Sequence, residues 1–420
     1  MSSVKSYSKK SIIFLCSMVY FVSYFSRKDF AAVMAGMISD GAIARANAGL
    51  VGTMLFAFYG VGQLISGYLG DKIAPKHLIM IGLSATAICN AAMPYLPDAG
   101  MIVVWGINGL AQAMLWPPIV KILSTYLDRK TYVTAHLVVT SAAHFATVLL
   151  YAYVPLCLTF MSWQTVFLTA SILAVLSMTA FAVAMSLIIP KEGVAEASVP
   201  DVSNVPSATV TDESLMTVLR KSGIFTVFVC IVVVGFLRDG IESWLPMLYS
   251  EAFNRDVSSS TLVSIILPIF SILSISIVTV LYRKRILGNE VSGSAILFSI
   301  SLVLAIPLVF FLGMDGAFFR VAALFITACI CGAMHGVNFL LISCLPGRFA
   351  KIGRSATVSG VCNSCVYIGA AISTYGIALI SERMGWAVTA ATWCGILAIG
   401  INFAILSYKR YTAMLKENKE

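Results

Sequence analysis

Residues 67–76 read GYLGDKIAPK, and this short polar stretch separates two long apolar segments, 48–70 and 77–96. A helix needs roughly 20 apolar residues to cross the hydrocarbon core of a bilayer, and both segments reach that length. Asp71, Lys72 and Lys76 lie in the break, where water or lipid headgroups can solvate their charges. The stretch therefore predicts the connection between two consecutive membrane-spanning helices.

The same alternation of apolar segments and polar breaks continues along the whole chain. It predicts twelve membrane-spanning helices, at 11–38, 48–70, 77–96, 101–126, 132–160, 163–189, 223–253, 260–282, 291–313, 318–345, 355–381 and 385–408. Lys5, Lys9 and Lys10 precede the first segment as they would in a signal peptide. Its apolar run is too long and lacks a small-residue cleavage site, so we expect a retained helix.

The composition excludes the soluble classes of protein. Of the 420 residues, 59% are hydrophobic and 11% are charged, and the mean hydropathy is +0.92. Soluble domains carry roughly 45–50% apolar and about 25% charged residues. All ten cysteines fall within apolar runs, where a thiol acts as a small hydrophobe. We expect an all-α membrane protein without disulfides, cofactor or metal, and one that binds no nucleic acid.

The basic residues orient the chain in the bilayer. With the N-terminus in the cytoplasm, twenty Lys and Arg residues fall on the cytoplasmic side and four, Arg45, Arg255, Arg320 and Arg383, on the other. Cytoplasmic loops carry the excess of positive charge in membrane proteins. The asymmetry predicts a multi-pass protein of a bacterial inner (plasma) membrane with both termini in the cytoplasm.

A polar stretch divides the chain in two. Residues 190–222 contain scattered Ser, Pro and acidic residues, typical of a flexible linker. We expect an N-terminal six-helix half over 1–189, a cytoplasmic linker over 190–222 and a C-terminal six-helix half over 223–420. In a pseudo-symmetric pair of this kind, substrate binds near the bilayer midplane between the halves.

Two arginines occupy equivalent positions near the middle of the first and seventh segments. A charge at the centre of a membrane helix costs about 2.5–3.5 kcal/mol, so we expect Arg27 and Arg238 to face the interior. Their guanidinium groups could grip one anion across a central cavity. The alternative is local neutralisation, of Arg27 by Asp29 or Asp239 and of Arg238 by Glu242.

Other polar residues in the apolar segments are candidate cavity residues. Tyr20, Tyr24 and Arg27 share one face of the first helix, and Tyr59 and Gln63 share one face of the second. His144 is the titratable group of a long apolar stretch, and Tyr367 is flanked by small residues. For each tyrosine alone, an interhelical hydrogen bond with no role in binding remains the alternative.

Several motifs resemble known transporters. Gly67-Tyr68-Leu69-Gly70-Asp71-Lys72 is similar to the loop signature of the major facilitator superfamily. The more specific similarity is to its organophosphate:phosphate antiporter family, and it runs in order along the chain. It rests on Tyr24-Phe25-Ser26-Arg27-Lys28-Asp29-Phe30, Tyr59-Gly60-Val61-Gly62, Trp116-Pro117-Pro118, Ala143-His144 and Leu237-Arg238-Asp239-Gly240-Ile241 with Trp244.

This resemblance implies roles for individual residues. It implies that Arg27 and Arg238 bind a phosphoryl group, that His144 contributes to binding, and that Tyr20, Tyr24, Tyr59 and Tyr367 line the cavity. The Arg27-Lys28 pair is among its most telling parts, and Lys28 joins the candidate binding residues. The sequence departs from the family at Gln63, where familiar members carry a lysine, and at His335, where glycerol-3-phosphate carriers carry a tyrosine.

The leading hypothesis is a monomeric secondary transporter that exchanges a small organic anion, an organophosphate, for inorganic phosphate by alternating access. A proton-coupled symporter of a carboxylate is the alternative, with Asp29, Asp239, Glu242, His144 or His335 as the protonated group. Asp71 and Lys72 would gate the cytoplasmic side. A transporter-like organophosphate sensor is a third possibility. We expect no enzyme, because the sequence lacks a nucleophile, base and acid set and a phosphate-cradling GK[ST] loop.

Overall fold

A computed structural model describes residues 6–188, 223–352 and 355–417, in which all regular structure is helical. The expected linker, 190–222, lies outside the described residues. The chain divides into two compact units. Unit 1 takes Met1–Asn47 and Met54–Pro206, and unit 2 takes Ala48–Thr53 and Ser207–Glu420.

Unit 1 contains the first seven α-helices of the described residues, except that residues 48–53 of the second helix belong to unit 2. The seven helices are α1 (Ser6–Ser39), α2 (Arg45–Lys72), α3 (Pro75–Ala92), α4 (Asp98–Ala113), α5 (Trp116–Tyr126), α6 (Arg129–Phe160) and α7 (Trp163–Ile188). The predicted span 101–126 corresponds to one stretch long and apolar enough to cross a membrane, Asp98–Tyr126, but its helix is interrupted, because α4 ends at Ala113 and α5 begins at Trp116. Pro117 and Pro118 follow the break, and proline cannot donate the backbone hydrogen bond that a continuous helix requires.

Asp128 lies just before the first residue of α6, caps this helix and also connects it to α1. Its carboxylate accepts the backbone N–H of Thr131 at 3.2 Å, which caps the helix, and the ammonium of Lys9 at 2.9 Å. The bond from Lys9, followed by those from Thr131, lowers the pKa of Asp128 below its ordinary value. One carboxylate therefore fixes the start of α6 and its neighbour on α1.

Unit 2 follows with a second set of helices. They are α8 (Ile224–Ala252), α9 (Val257–Val263), α10 (Ile266–Arg283), α11 (Glu290–Phe311), α12 (Ala317–Asn338) and α13 (Ser355–Glu417). A π-helical turn (Phe339–Cys344) and a 3-10 helix (Leu345–Ile352) follow α12. The predicted helix 260–282 is divided between α9 and α10, and Pro268 lies just after the division.

Ten helical stretches among the described residues are long and apolar enough to cross a membrane. This number differs from the twelve predicted segments for two reasons. First, α1 is not one of the ten, because it carries the charged residues Lys9, Lys10, Arg27, Lys28 and Asp29. Second, the last stretch, Val358–Leu415, covers two predicted segments, and the backbone leaves the helical region between them at Gly385 (φ 82°, ψ 177°).

Helices α8 and α13 pack through two glycines. A Cβ on Gly235 would collide with the carbonyl oxygen of Val366, and a Cβ on Gly369 would collide with that of Val232. Small residues permit this approach of two membrane helices, where close van der Waals packing replaces the hydrophobic effect. We call this contact of Gly235 and Gly369 the glycine seam.

A buried carboxylate joins three parts of unit 2. Glu290, at the start of α11, is fully buried. It accepts from the hydroxyl of Tyr282 at 2.6 Å, from Nε of Arg348 at 2.7 Å and from the hydroxyl of Tyr411 at 3.0 Å. Because α10, the 3-10 helix and α13 supply these donors, Glu290 fixes their ends against α11.

Candidate functional site

The side chain of Arg27 lies against aromatic rings in unit 1. Only 8% of the residue is exposed, and its guanidinium carbon lies 4.2 Å from the ring centroid of Tyr24 and 5.0 Å from that of Tyr59. The ring of Tyr20 meets that of Tyr24 edge to face, with the centroids 5.0 Å apart, and its centroid lies 4.6 Å from that of Trp116. Aromatic faces stabilise a cation away from water. The structure thus brings the sequence-predicted Tyr20, Tyr24, Tyr59 and Arg27 together.

Lys28 and Asp29 are buried beside Arg27, with 8% and 0% of each residue exposed. The carboxylate of Asp29 accepts the backbone N–H of Phe30 at 2.7 Å. Its second oxygen is buried without a hydrogen-bond partner in the described part of the chain. Neutralisation of Arg27 by Asp29 is therefore not what the structure shows.

A buried polar layer behind Arg27 was not predicted from the sequence. Asn90 of α3 and Asn108 of α4 donate to the carbonyl of Ser26, at 3.3 and 3.2 Å. Next to them, Gln112 of α4 accepts from the hydroxyl of Ser23 at 2.6 Å and donates to that of Thr86 at 3.2 Å. These bonds position the segment of α1 that carries Arg27. The sequence signal that could have indicated this layer is the presence of three amide side chains in otherwise apolar segments.

Two further candidates of unit 1, Gln63 and His144, contact backbone carbonyl groups. Gln63 donates to the carbonyl of Ala113 at 3.4 Å, and Nδ1 of His144 lies 3.0 Å from the carbonyl of Thr140, one turn earlier on α6. Asp71 and Lys72 end helix α2, and their side chains lie outside what the structure describes.

In unit 2, Arg238 is held by an adjacent carboxylate and by an amide. Its Nη2 lies 2.7 Å from Oδ2 of Asp239 and its Nε lies 3.4 Å from Oδ1, while Nη1 donates to Oδ1 of Asn338 at 2.8 Å. The alternative of local neutralisation thus describes Arg238, but the ion pair in the structure is with Asp239 and not with the expected Glu242. Asn338, 100 residues away on α12, was missed by the sequence.

Glu242 instead contacts His335. Oε1 of Glu242 lies 2.6 Å from Nε2 of His335, and Cys331 Sγ lies 3.9 Å from the same oxygen. Glu242, together with Tyr367 of α13, remains within electrostatic range of Arg238. Arg238, Asp239, Glu242, His335 and Tyr367 thus form one polar cluster inside unit 2. Of the described residues, Glu242, Cys331 and His335 are the group placed to hold a metal ion.

Comparison with known proteins gives both family and fold. A family model described as Major Facilitator Superfamily matches residues 16–374. The solved structure of a D-xylose-proton symporter matches with a TM-score of 0.71 over 95% of this chain and 97% of that one, at 12% identity. At that identity, the likeness concerns the fold alone.

Two curated relatives carry names that refer to phosphorylated compounds. A protein of Chlamydia trachomatis serovar D named "Probable hexose phosphate transport protein" is 31% identical over 124 residues, which are 29% of this chain and 27% of that protein. The "Glycerol-3-phosphate transporter" of Bacillus subtilis is 23% identical over 405 residues, 91% of this chain and 87% of that protein. The chain therefore matches little more than a quarter of the length of the chlamydial relative.

Proposed function

The chain belongs to the Major Facilitator Superfamily, and from that premise we propose that it is a secondary transporter of a small phosphorylated anion. The anion is exchanged for inorganic phosphate by alternating access. The observation that carries the proposal is an arginine largely removed from solvent in each unit, Arg27 in α1 with 8% of the residue exposed and Arg238 in α8 with 13% of the side chain exposed. The names of the two relatives support the phosphorylated class of substrate.

The proposed architecture has twelve membrane-spanning helices in two six-helix halves, 1–189 and 223–420, joined by a cytoplasmic linker. Helix α1 is one of the twelve spans. A count of spans by hydropathy leaves it out because of its charged residues. Gly385 divides α13 into two spans, because its backbone leaves the helical region there. Both termini lie in the cytoplasm of a bacterium, the protein acts as a monomer in the inner membrane, and Asp71 and Lys72 gate its cytoplasmic side.

The way in which Arg238 is held supports the proposal of exchange. In this structure Asp239 occupies two of its nitrogens, so an incoming phosphoryl group must compete for the same donors. A planar guanidinium matches two oxygens of a phosphate in the same way that it matches a carboxylate. The bound anion then supplies the difference in stability between conformations that any ligand-driven change requires.

The test is counterflow in proteoliposomes that contain the purified full chain. Vesicles loaded with phosphate should accumulate labelled phosphate, and an external organophosphate should compete. Arg27→Lys and Arg238→Lys keep the charge but lose the planar fork that binds two oxygens, so each should strongly reduce the rate of counterflow. Arg255→Lys is the matched control, because Arg255 is exposed and outside the proposed site. Absence of counterflow for phosphate and organophosphates alike contradicts the proposal, and specific binding without flux identifies a sensor.

A second candidate rests on the contact between His335 and Glu242. An imidazole 2.6 Å from a carboxylate beside Arg238 is suited to carry a proton with a carboxylate substrate. Uptake would then follow an imposed pH gradient and require no phosphate inside the vesicle. Loss of gradient-driven uptake in His335→Gln supports this candidate, and unchanged uptake excludes it.

A further inference from the structure

Three side chains with different metal-binding atoms converge in unit 2. They are Glu242 on α8 and Cys331 and His335 on α12, and their ligand atoms all lie within 4.8 Å of one another. We propose that this cluster, the Glu242–Cys331–His335 site, binds a thiophilic divalent cation of the Zn²⁺ class. The proposal does not rest on the proposed transport function, because metal binding can be measured without flux.

Helical geometry aligns two of the three ligands. Cys331 and His335 are four residues apart on α12, so both point from the same face of the helix. That face meets α8, where Glu242 presents its carboxylate. The backbones of two packed helices therefore hold the three ligands close together before a metal binds. The loss of conformational entropy on metal binding should be smaller than for a site built from flexible loops.

The observed distances are close to those of a tetrahedral zinc site. Bond lengths of about 2.0–2.3 Å place N and O ligands about 3.3 Å apart, and S and O ligands about 3.6 Å apart. In the structure, Nε2 of His335 lies 2.6 Å from Oε1 of Glu242, and Sγ of Cys331 lies 3.9 Å from it. For these two pairs, changes of less than about 1 Å, within reach of side-chain rotation, give the distances of a bound zinc ion, and the ligand atoms of Cys331 and His335 lie within 4.8 Å of each other.

Charge also favours a divalent cation. Cys331 is buried, and 15% of each of the other two side chains is exposed, so a net charge would be costly. A dication bound to a thiolate, a carboxylate and a neutral imidazole is neutral overall, and the adjacent pair of Arg238 and Asp239 is neutral as well. Binding forms the metal–sulfur bond and releases the thiol proton to solvent. Nε2 of His335 also gives up the proton that it shares with Glu242, to solvent from an imidazolium ring or to Nδ1 from a neutral ring, so that its lone pair can bind the metal.

The donor set determines which metals bind. Sulfur and imidazole nitrogen select Zn²⁺, Co²⁺ and Cd²⁺, whereas Mg²⁺ and Ca²⁺ prefer oxygen ligands. Three protein ligands leave a fourth position for water or for an oxygen of an anion, the arrangement found in open zinc sites. Arg238 precedes Glu242 by one helical turn on α8, so an anion at that position would also lie near a guanidinium.

The experiment titrates the reduced, purified full chain with Co²⁺. A cobalt ion bound by a thiolate in tetrahedral geometry should give a sulfur-to-metal charge-transfer band and intense visible bands. Cys331→Ser should abolish the charge-transfer band. Cys329→Ser is the matched control, because Cys329 lies two residues away on α12 and outside the cluster. Zn²⁺ should bleach the bands by displacing Co²⁺, and Mg²⁺ should not.

A second variant covers the case in which Cys331→Ser fails to fold. His335→Gln leaves the buried thiol in place and should weaken Co²⁺ binding at least about tenfold, the lower limit for loss of even an outer partner of a metal site. Absence of the charge-transfer band in the unmodified protein overturns the proposal. So does a band that persists in Cys331→Ser, or Co²⁺ affinity unchanged in His335→Gln.

Discussion

Arg238 and Asp239 are consecutive residues of one helix, yet their side chains form a two-point ion pair, Nη2 to Oδ2 at 2.7 Å and Nε to Oδ1 at 3.4 Å. Consecutive residues on a helix point in different directions, so the long arginine side chain must bend back to reach its neighbour. The ion pair leaves Nη1 for Asn338 at 2.8 Å. The guanidinium is thereby held in one orientation by groups of its own unit.

Asp239→Asn should strengthen the binding of phosphate to the purified protein. The variant removes the carboxylate that competes with the anion for Arg238. If the anion no longer has to displace a carboxylate worth about 1–2 kcal/mol, its affinity should rise about 5- to 30-fold. Without phosphate the thermal midpoint should fall, because Arg238 loses its buried counter-charge. Binding titration and ligand-dependent melting measure both effects, with Asp40→Asn at an exposed site as control. Weaker phosphate binding in Asp239→Asn contradicts the competition.

Asn108→Ala should destabilise unit 1. The change removes a fully buried amide and one of the two hydrogen bonds that Asn90 and Asn108 donate to the carbonyl of Ser26. The lost bond and the lost packing should together cost about 1–3 kcal/mol. Asn402→Ala is the matched control, since Asn402 is exposed and bonds to the carbonyl of Ala398 on its own helix. Thermal melting in detergent should separate the two variants. Equal midpoints would mean that the polar layer behind Arg27 does not stabilise the unit.

Glu290→Gln should weaken the packing of α10, the 3-10 helix and α13 on α11. The substitution removes the negative charge that accepts from Arg348 and from two tyrosine hydroxyls, a loss of about 2–3 kcal/mol. Proteolysis at the ends of these helices should become faster. Glu382→Gln, at an exposed carboxylate, should leave the cleavage rate unchanged. Unaltered proteolysis of the Glu290 variant would exclude the carboxylate as a structural link.

The lowered pKa of Asp128 predicts an acid-sensitive contribution to stability. Because its pKa in the folded protein is depressed, the contribution is present above the unfolded value of about 4 and is lost progressively as pH falls below it. Asp128→Asn keeps the helix cap but removes the charge that binds Lys9. The thermal midpoint of this variant should therefore fall less between neutral and acidic pH than that of the unmodified protein. Asp315→Asn, at an exposed site, should retain the full acid dependence.

Gly235→Ala should disrupt the glycine seam. A methyl group would collide with the carbonyl of Val366, and relief by helix displacement costs about 1–3 kcal/mol or more. Folded yield and thermal midpoint should both fall. Gly395 lies in α13, and an added Cβ there meets nothing within 4 Å. Gly395→Ala should therefore be neutral or slightly stabilising. If both variants melt alike, the seam is more adaptable than the backbone positions indicate.

The sequence predicts the apolar spans and part of the candidate site well. The helices follow from hydropathy, and the grouping of Tyr24 with Arg27 follows from their spacing of three residues on one face. The breaks within predicted spans were missed, although Pro117, Pro118 and Pro268 were visible signals. Long apolar runs conceal such breaks because hydropathy does not register backbone geometry.

The partners of Arg238 show where sequence reasoning reaches its limit. Spacing favoured Glu242, four residues on, whereas the structure pairs Arg238 with Asp239 and turns Glu242 toward His335. That choice depends on α12, which brings His335 and Asn338 to α8 from about 100 residues away in the chain. Cys331 escaped notice for the same reason. Its spacing of four residues from His335 marks a shared helix face, but only the packing of α8 supplies the third ligand.

The glycine seam has a practical consequence for measuring motion in this protein. Two backbones in direct contact at Gly235 and Gly369 have no side chains between them that could slide or repack, so α8 and α13 should turn as one piece. Spin labels at the exposed residues Phe225 and Ile372 would then report a constant distance in every state of the protein. The distance between these two labels would then serve as a constant reference for changes in other distances.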